Sequence, residues 1–546
     1  NIRGIGIMQI ESVEINNKSR LIRDYMAKEK AIMSFFDYDP HTQYEERIKE
    51  LKQRQFDRRH MTDVLHIINS RWDAPGSTMD NIERLKDGSS VVVIGGQQAG
   101  LLTGPMYTIN KVISIIQLAK QKEKELKVPV IPVFWIAGED HDFDEINHVF
   151  LPSREQLKKY KHPQKVYKKM SVSEIKMNKD ETAKWLDKLF QQLQETAYTN
   201  DLYFSIKQCL DKSESYVDFF ARLIYQLFDQ EGLVLVDSAH PALRKLEKEH
   251  FISLIKAQPE IAESVRQTLL ELHQLGYHVS LDAEDDDGHL FYHKNEERIL
   301  LKRTIEGDWA GKQNEVSLTT QELLNIAKDH PEQLSNNVVT RPIMQELLFP
   351  SIAFIGGPGE IAYWASLKQA FHNLNLKMPP IVPRLSFTFL ERNVKRYAKK
   401  YNISFKTVVN EGAEQLKKQW LEAKNNPSVR DVAISVKEQI EEVHKPLRDI
   451  ASDISPDIGD LSEKNLFYLR NNIDFLENRI MKALKDKYEK EMYEFDLINM
   501  SLFPQDNLQE RVWNPLPWIN LYSSGFIKEL TGKHLSFQND HYIVSL

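Results

Sequence analysis

SSVVVIGGQQAGLLTGPMYTINKVISIIQLAKQ, residues 89–121, decides the fold. A β-branched run from Ser90 to Ile94 meets a glycine-rich turn, and an apolar helix then runs to about Lys120. A second apolar run, VPVIPVFWIAG from Val128 to Gly138, follows. Strand, loop, helix and strand over that length make one right-handed parallel crossover. Three later segments read as further strands of the same sheet: GLVLVDSAHP from Gly232, SIAFIGGPGEIAYWASL from Ser351 and PPIVPRLSFT from Pro379. Each ends in a polar or glycine-rich loop. The expected fold class is α/β, a Rossmann-like parallel-sheet core carrying two inserted modules and a C-terminal antiparallel helical coiled coil.

Outward from that core, residues 8–85 read as an N-terminal helical segment, and 86–150 as the first part of the core. Residues 151–230 form a first insertion, 231–240 a core strand, 241–335 a second insertion and 336–390 the last part of the core. The acidic EDDDG at 284–288 is read as a hairpin turn rather than a calcium loop, because strands flank it. From 391 to 490 the chain turns charged and helical. Val436, Ile440, Val443, Leu447, Ile450 and Ile454, then Leu466, Leu469, Ile473, Leu476 and Ile480, recur at coiled-coil spacing. SPDIGD between the two sets predicts a reversal, and Pro446 a kink in the first arm. Residues 491–546, aromatic and irregular, are expected to pack back on the core.

The 546 residues allow three or four domains, and 41% hydrophobic content supplies a core. With 72 basic and 79 acidic side chains the net charge is −7, so no nucleic-acid partner and no membrane are expected. The longest apolar runs fall short of the roughly 18 residues of a spanning helix, and the amino terminus lacks a signal-peptide core, so a cytoplasmic protein is expected. NIRGIGI, before Met8, is left out of the functional reading. The single cysteine, Cys209, builds neither a disulfide nor a thiolate zinc site, so no structural zinc is expected, and it is read as a small hydrophobe in a helix.

Three loops carry the chemistry. In GGQQAGLLTGP the glycines turn the backbone back toward a helix N-terminus, an anion-binding geometry. It is not a Walker A loop, since Leu101 and Leu102 stand where Lys and Ser/Thr belong. Gln97, Gln98 and Thr103 are its candidate anion contacts; Tyr107 and Lys111, one turn apart on the helix, extend the set, although Lys111 also suits a solvated face. GEDHDFDEIN follows the second strand and brings Glu139, Asp140, His141 and Asp142 to the same sheet edge. Such a cluster can bind an amine, coordinate a hard cation or relay a proton, and a solvated acidic loop has the same composition. No dedicated metal site is assigned. GGPGEIAYWASL repeats the pattern with Glu360 and Tyr363, and Arg384 closes the next strand, where its fork can meet a carboxylate.

Taken together, GGQQAGLLTGPMYT, FWIAGEDHDFDEI, GGPGEIAYWA and PPIVPR resemble the bacillithiol biosynthesis cysteine-adding enzymes (BshC), over nearly the whole chain from Met8. The resemblance implies an amide-forming carbon–nitrogen ligase adding cysteine to the amino group of glucosaminyl malate to give bacillithiol. It also implies a Rossmann core with two connecting-peptide insertions and a homodimer through the coiled coil. That family is similar to class I aminoacyl-tRNA synthetases, which implies ATP with Mg²⁺ as the activating partner. This chain has GGQQAG where those synthetases carry HIGH, and KMSVS at 169–173 lies too early to be their second signature and is read as a coincidence. On this reading Asp140, His141 and Asp142 serve the amine or act as base, Gln97, Gln98 and Thr103 bind an anion, and Arg384 binds a carboxylate. Trp513, Asn514 and Trp518 are candidates for a second, aromatic-lined nucleotide pocket or for anchoring the tail. Two other functions fit the same residues: a metal-dependent hydrolase using GEDHD, and a non-catalytic coiled-coil scaffold.

Overall fold

The computed structural model describes residues 8–153 and 156–546; NIRGIGI lies outside the described residues. The core is a five-stranded, fully parallel sheet of β1 (Val91–Gln97), β2 (Val130–Ile136), β3 (Val234–Asp237), β4 (Ser351–Gly356) and β5 (Ile381–Pro383), in the order β5-β4-β1-β2-β3. Val91 pairs with Val130 and Ile94 with Val133, while Phe354 lies opposite Ile94. Both flanks of β1 are therefore occupied. A Cβ on Gly96 would lie 2.5 Å from the Trp135 carbonyl oxygen, so only glycine fits there.

Helix α1 (Met106–Leu126) crosses from β1 to β2 and packs on both. Up to Ala119 it is buried nearly all round, and the carboxyl-terminal segment explains why. Gln117 donates to the Leu530 carbonyl at 3.0 Å, Gln121 to that of Leu535 at 3.1 Å, and the Met106 N–H to that of Trp513 at 2.8 Å. Ile113, Ile115 and Ile116 are all buried, each contributing about 1.5–3 kcal/mol.

The first compact unit takes in residues 8–153, 157–389 and 509–546, and the second residues 390–508. In the first, Gln9–Val13 is a strand paired antiparallel with His541–Ser545, so the amino-terminal segment is not wholly helical. Among the described residues, a two-stranded ribbon and four α-helices lie between β2 and β3; between β3 and β4 lie four α-helices and a second sheet containing Asp287–Lys294, Glu297–Arg303 and Leu334–Asn336. Within the second unit, α3 (Val429–Ile454) and α4 (Pro456–Lys487) form an antiparallel hairpin. Lys437 pairs with Asp474, Arg470 with Glu441, and Arg448 with Glu463 at 3.4 Å. The reversal falls at Ser455, inside SPDIGD, and α3 runs through Pro446 as one helix. No helix among the described residues is long and apolar enough to cross a membrane.

Candidate functional site

The strand order reverses between β1 and β4, the place where open α/β sheets bind ligands. A cleft of about 620 Å³ opens there, at the carboxyl ends of β1, β2, β4 and β5. Gln97, Gln98, Tyr107, Asp140, Glu360 and Arg384, all sequence candidates, line it. Four separate loops thus converge on one volume of substrate size.

Hydrogen bonds join the loops. The Gln98 amide donates to Asp140 Oδ2 at 2.7 Å and to Glu145 at 2.9 Å. Asp140 Oδ1 accepts the His141 backbone N–H at 2.8 Å. Burial would raise the Asp140 carboxyl, but the Gln98 amide, Arg341, Arg298 and the His141 N–H hold it below its ordinary value. It is a carboxylate at neutral pH. Lys111, whose face the sequence left open, is buried: Nζ donates to the Gly96 carbonyl at 2.6 Å, to Gln97 Oε1 at 3.1 Å and to Glu360 at 2.5 Å. Burial lowers its pKa against the opposing pull of Glu360. Glu360 also accepts the Gly357 N–H at 2.8 Å, so one lysine ties the loops after β1 and β4 together.

Arg384 reaches the cleft with its fork already filled. Nη1 and Nη2 donate to Glu510 at 2.6 and 2.8 Å, and burial notwithstanding, that guanidinium with its hydrogen bonds holds Glu510 down to about 2. The pair binds the carboxyl-terminal segment to β5. Thr103 is buried and does not line the cleft; the loop turns away through positive φ at Leu102 and Thr103. Asn514 supports that turn, donating to the carbonyls of Leu102 at 3.0 Å and Gly104 at 2.8 Å. Trp513 and Trp518 are buried with ring centroids 5.2 Å apart. Those three residues stand behind the glycine loop rather than in the cleft. Asp142 precedes a short helix at Phe143–Ile146, and neither it nor His141 lines the cleft.

Comparison with known proteins bears on the same chain end to end. The family model described as "Bacillithiol biosynthesis BshC, N-terminal Rossmann-like domain" matches residues 8–385, and "Bacillithiol biosynthesis BshC, C-terminal coiled-coil domain" matches 387–546. The chain belongs to the BshC family. Relatives named "Putative cysteine ligase BshC" include those of Oceanobacillus iheyensis, 42% identical over 543 residues, and Bacillus licheniformis, 40% over 541, each covering 99% of this chain and all of the relative. That of Geobacillus sp. strain WCH70 is 38% identical over 540 residues, 98% of this chain and all of the relative.

In this BshC-family chain several cleft residues had no sequence signal. Arg341, from the helix Thr340–Leu348, lines the cleft and donates from Nε to Glu139 at 2.9 Å. Glu139 is fully buried and also meets Arg244 at 2.5 Å. Burial would raise its carboxyl, but Arg244, Arg341 and Arg298 hold it below its ordinary value. Arg511 lies on the exposed rim of the cleft and has no acid partner among the described residues. KMSVS, set aside from the sequence, packs on the GEDHD loop: the Val172 N–H donates to the Asp140 carbonyl at 2.8 Å and Ser173 N–H to that of Gly138 at 3.0 Å. Ser173 Oγ donates to Asp237 at 2.8 Å, and burial pushes that carboxyl up to about 6. Among the described residues no group of three or more His, Cys, Asp or Glu side chains is arranged to hold a metal ion.

Proposed function

We propose that this BshC-family chain is a ligase that uses ATP with Mg²⁺ to join the cysteine carboxyl to the amino group of glucosaminyl malate, giving bacillithiol. The observation that carries this reading is the presence, within one cleft, of an ionised Asp140 and the guanidinium of Arg511, which has no acid partner among the described residues. The acceptor substrate has the complementary groups, an amine and malate carboxylates. Family membership and the printed names of the relatives support the same reading. Arg511 suits a carboxylate or a phosphate, and Asp140, Glu145 and Glu360 are the cleft carboxylates a Mg²⁺–nucleotide complex would meet. When bound, ATP supplies the leaving group that activates the cysteine carboxyl. Mass spectrometry of the purified protein with ATP, Mg²⁺, cysteine and glucosaminyl malate tests the reading. Bacillithiol formed only with ATP, with release of AMP or ADP, is the expected result; absence of product with the folded protein overturns it. In the same assay Arg511→Ala is expected to raise KM for the anionic partner roughly tenfold, the loss of about one charge-assisted hydrogen bond.

We also propose that the hairpin pairs with a second copy of the chain. Val443, Leu447, Ile450 and Ile454 on α3 stay 58–78% exposed beside α4, an apolar stripe that two helices alone leave in water. Light scattering after size exclusion should give twice the 63.8 kDa chain mass. Leu447→Glu with Ile454→Glu should give the monomer, since exposed positions tolerate charge in a free hairpin; a monomer at full length sinks the idea.

A further inference from the structure

The sequence GEDHD invites a familiar arrangement, in which a carboxylate accepts Nδ1–H of the histidine and leaves Nε2 free as a base. The geometry is the reverse. Nδ1 of His141 lies 3.9 Å from the nearer Asp140 oxygen, beyond hydrogen-bonding distance. It lies 3.1 Å from Nη1 of Arg298, a residue of the inserted strand Glu297–Arg303. A guanidinium has five N–H donors and nothing to accept with. Nδ1 must therefore be the acceptor, and the single proton of the neutral ring sits on Nε2.

Arg298 is held so that it cannot turn aside. Its Nε donates to Ser335 Oγ at 3.1 Å, Nη2 donates to the Asn336 carbonyl at 2.7 Å, and its guanidinium carbon stands 3.6 Å from the Phe291 ring centroid. The side chain is 3% exposed. Burial lowers its pKa to about 10, which leaves it charged at neutral pH. Burial, then Arg298, with Lys169 adding to it, holds His141 below the ordinary imidazole value, against Asp140 and Asp142. The His141 side chain keeps 27% exposure, and Nε2 makes no hydrogen bond to a described residue.

We propose that Arg298 is a positioning residue that locks His141, which stands beside Asp140 just outside the cleft lining, as the Nε2–H tautomer, so that the loop presents a hydrogen-bond donor, and not a base, to a carbonyl or phosphoryl oxygen of a substrate that reaches past Asp140. The tautomer stands on geometry alone; its use in catalysis rests on the ligase reading above. The inserted sheet thereby becomes part of the site.

Two-bond ¹H–¹⁵N correlation spectra of the full-length protein labelled with ¹⁵N-histidine decide the tautomer, with His141 assigned from the signals missing in His141→Gln. Between about pH 7 and 8 the wild type is expected to show unprotonated Nδ1 and protonated Nε2. Arg298→Lys, which still donates, should keep that pattern; Arg298→Met should mix the tautomers and raise the ring pKa. Protonated Nδ1 in the wild type overturns the proposal, whether or not the Arg298 variants fold. In the ligation assay His141→Gln, which retains an N–H donor, should lose less than about tenfold in kcat and His141→Ala about a hundredfold. Equal losses overturn the donor role and leave the ligase reading intact.

Discussion

Glu139→Gln is expected to destabilise the protein by about 3–5 kcal/mol, the usual cost of leaving a buried charge without its partner. The glutamine keeps the shape of the side chain and removes the charge that two arginines share. Arg244 retains Glu247 at 2.7 Å, but buried Arg298 and half-buried Arg341 then have, among the described residues, only Asp140 to offset them. That loss is a large part of the roughly 5–15 kcal/mol that holds a typical fold together. Urea denaturation followed by circular dichroism should show a marked fall in midpoint; an unchanged midpoint would mean that Glu139 does not hold this network.

Glu247 makes the contrast. Burial pushes its carboxyl up to about 7, against the lowering pull of Arg244. A group whose proton is held more tightly in the folded chain stabilises the fold fully below its ordinary value of 4.5. That contribution fades as the pH rises through about 7. Glu247→Gln should therefore cost under about 1 kcal/mol near pH 7, because the native side chain is already half protonated there. It should also flatten the fall in urea midpoint between about pH 5 and 8. Glu139 has the opposite sign: its stabilisation is present above its ordinary value and is lost as the pH falls below it. A Glu247→Gln variant with an undiminished slope would place that titration elsewhere.

What could be read from the sequence was what short-range patterning controls. VVVIGG announces a central strand because β-branched residues fill the sheet and glycine alone fits where Trp135 crowds Gly96. Gln98, Asp140 and Glu360 were legible as strand-end residues, since a parallel sheet delivers all its carboxyl ends to one edge. Thr103 misled: the same loop doubles back through two left-handed residues, held by Asn514 more than 400 positions away. Arg298 and Arg341 were invisible for the same reason. Each meets its partner 157 and 202 positions away, and neither stands in a motif or a periodic face. The heptads predicted the hairpin, yet spacing alone does not say that two arms bury only part of each stripe.

Asp140→Asn should lower kcat of the proposed ligation by about 10²–10³ while leaving KM for cysteine within a few fold. As the glucosamine nitrogen attacks the activated carboxyl, positive charge grows on that nitrogen, and a carboxylate already ionised and oriented stabilises it without reorganising. Gln98 and the His141 N–H each hold one Asp140 oxygen, and each oxygen keeps a second lone pair for the amine. Asparagine keeps the size but offers one acceptor and no charge. Gln98→Ala leaves the charge and removes only the tether, so its loss should be nearer tenfold. Because Asp140 titrates below its ordinary value, its activity contribution persists as the pH falls and disappears only below that value. Gln98 is the largest of the contributions that hold Asp140 down, so the acid limb of the kcat profile should move to higher pH in Gln98→Ala. Equal losses in Asp140→Asn and Gln98→Ala would show that orientation matters and charge does not, and would move the role of amine partner to Glu145 or Glu360, the other carboxylates of the cleft.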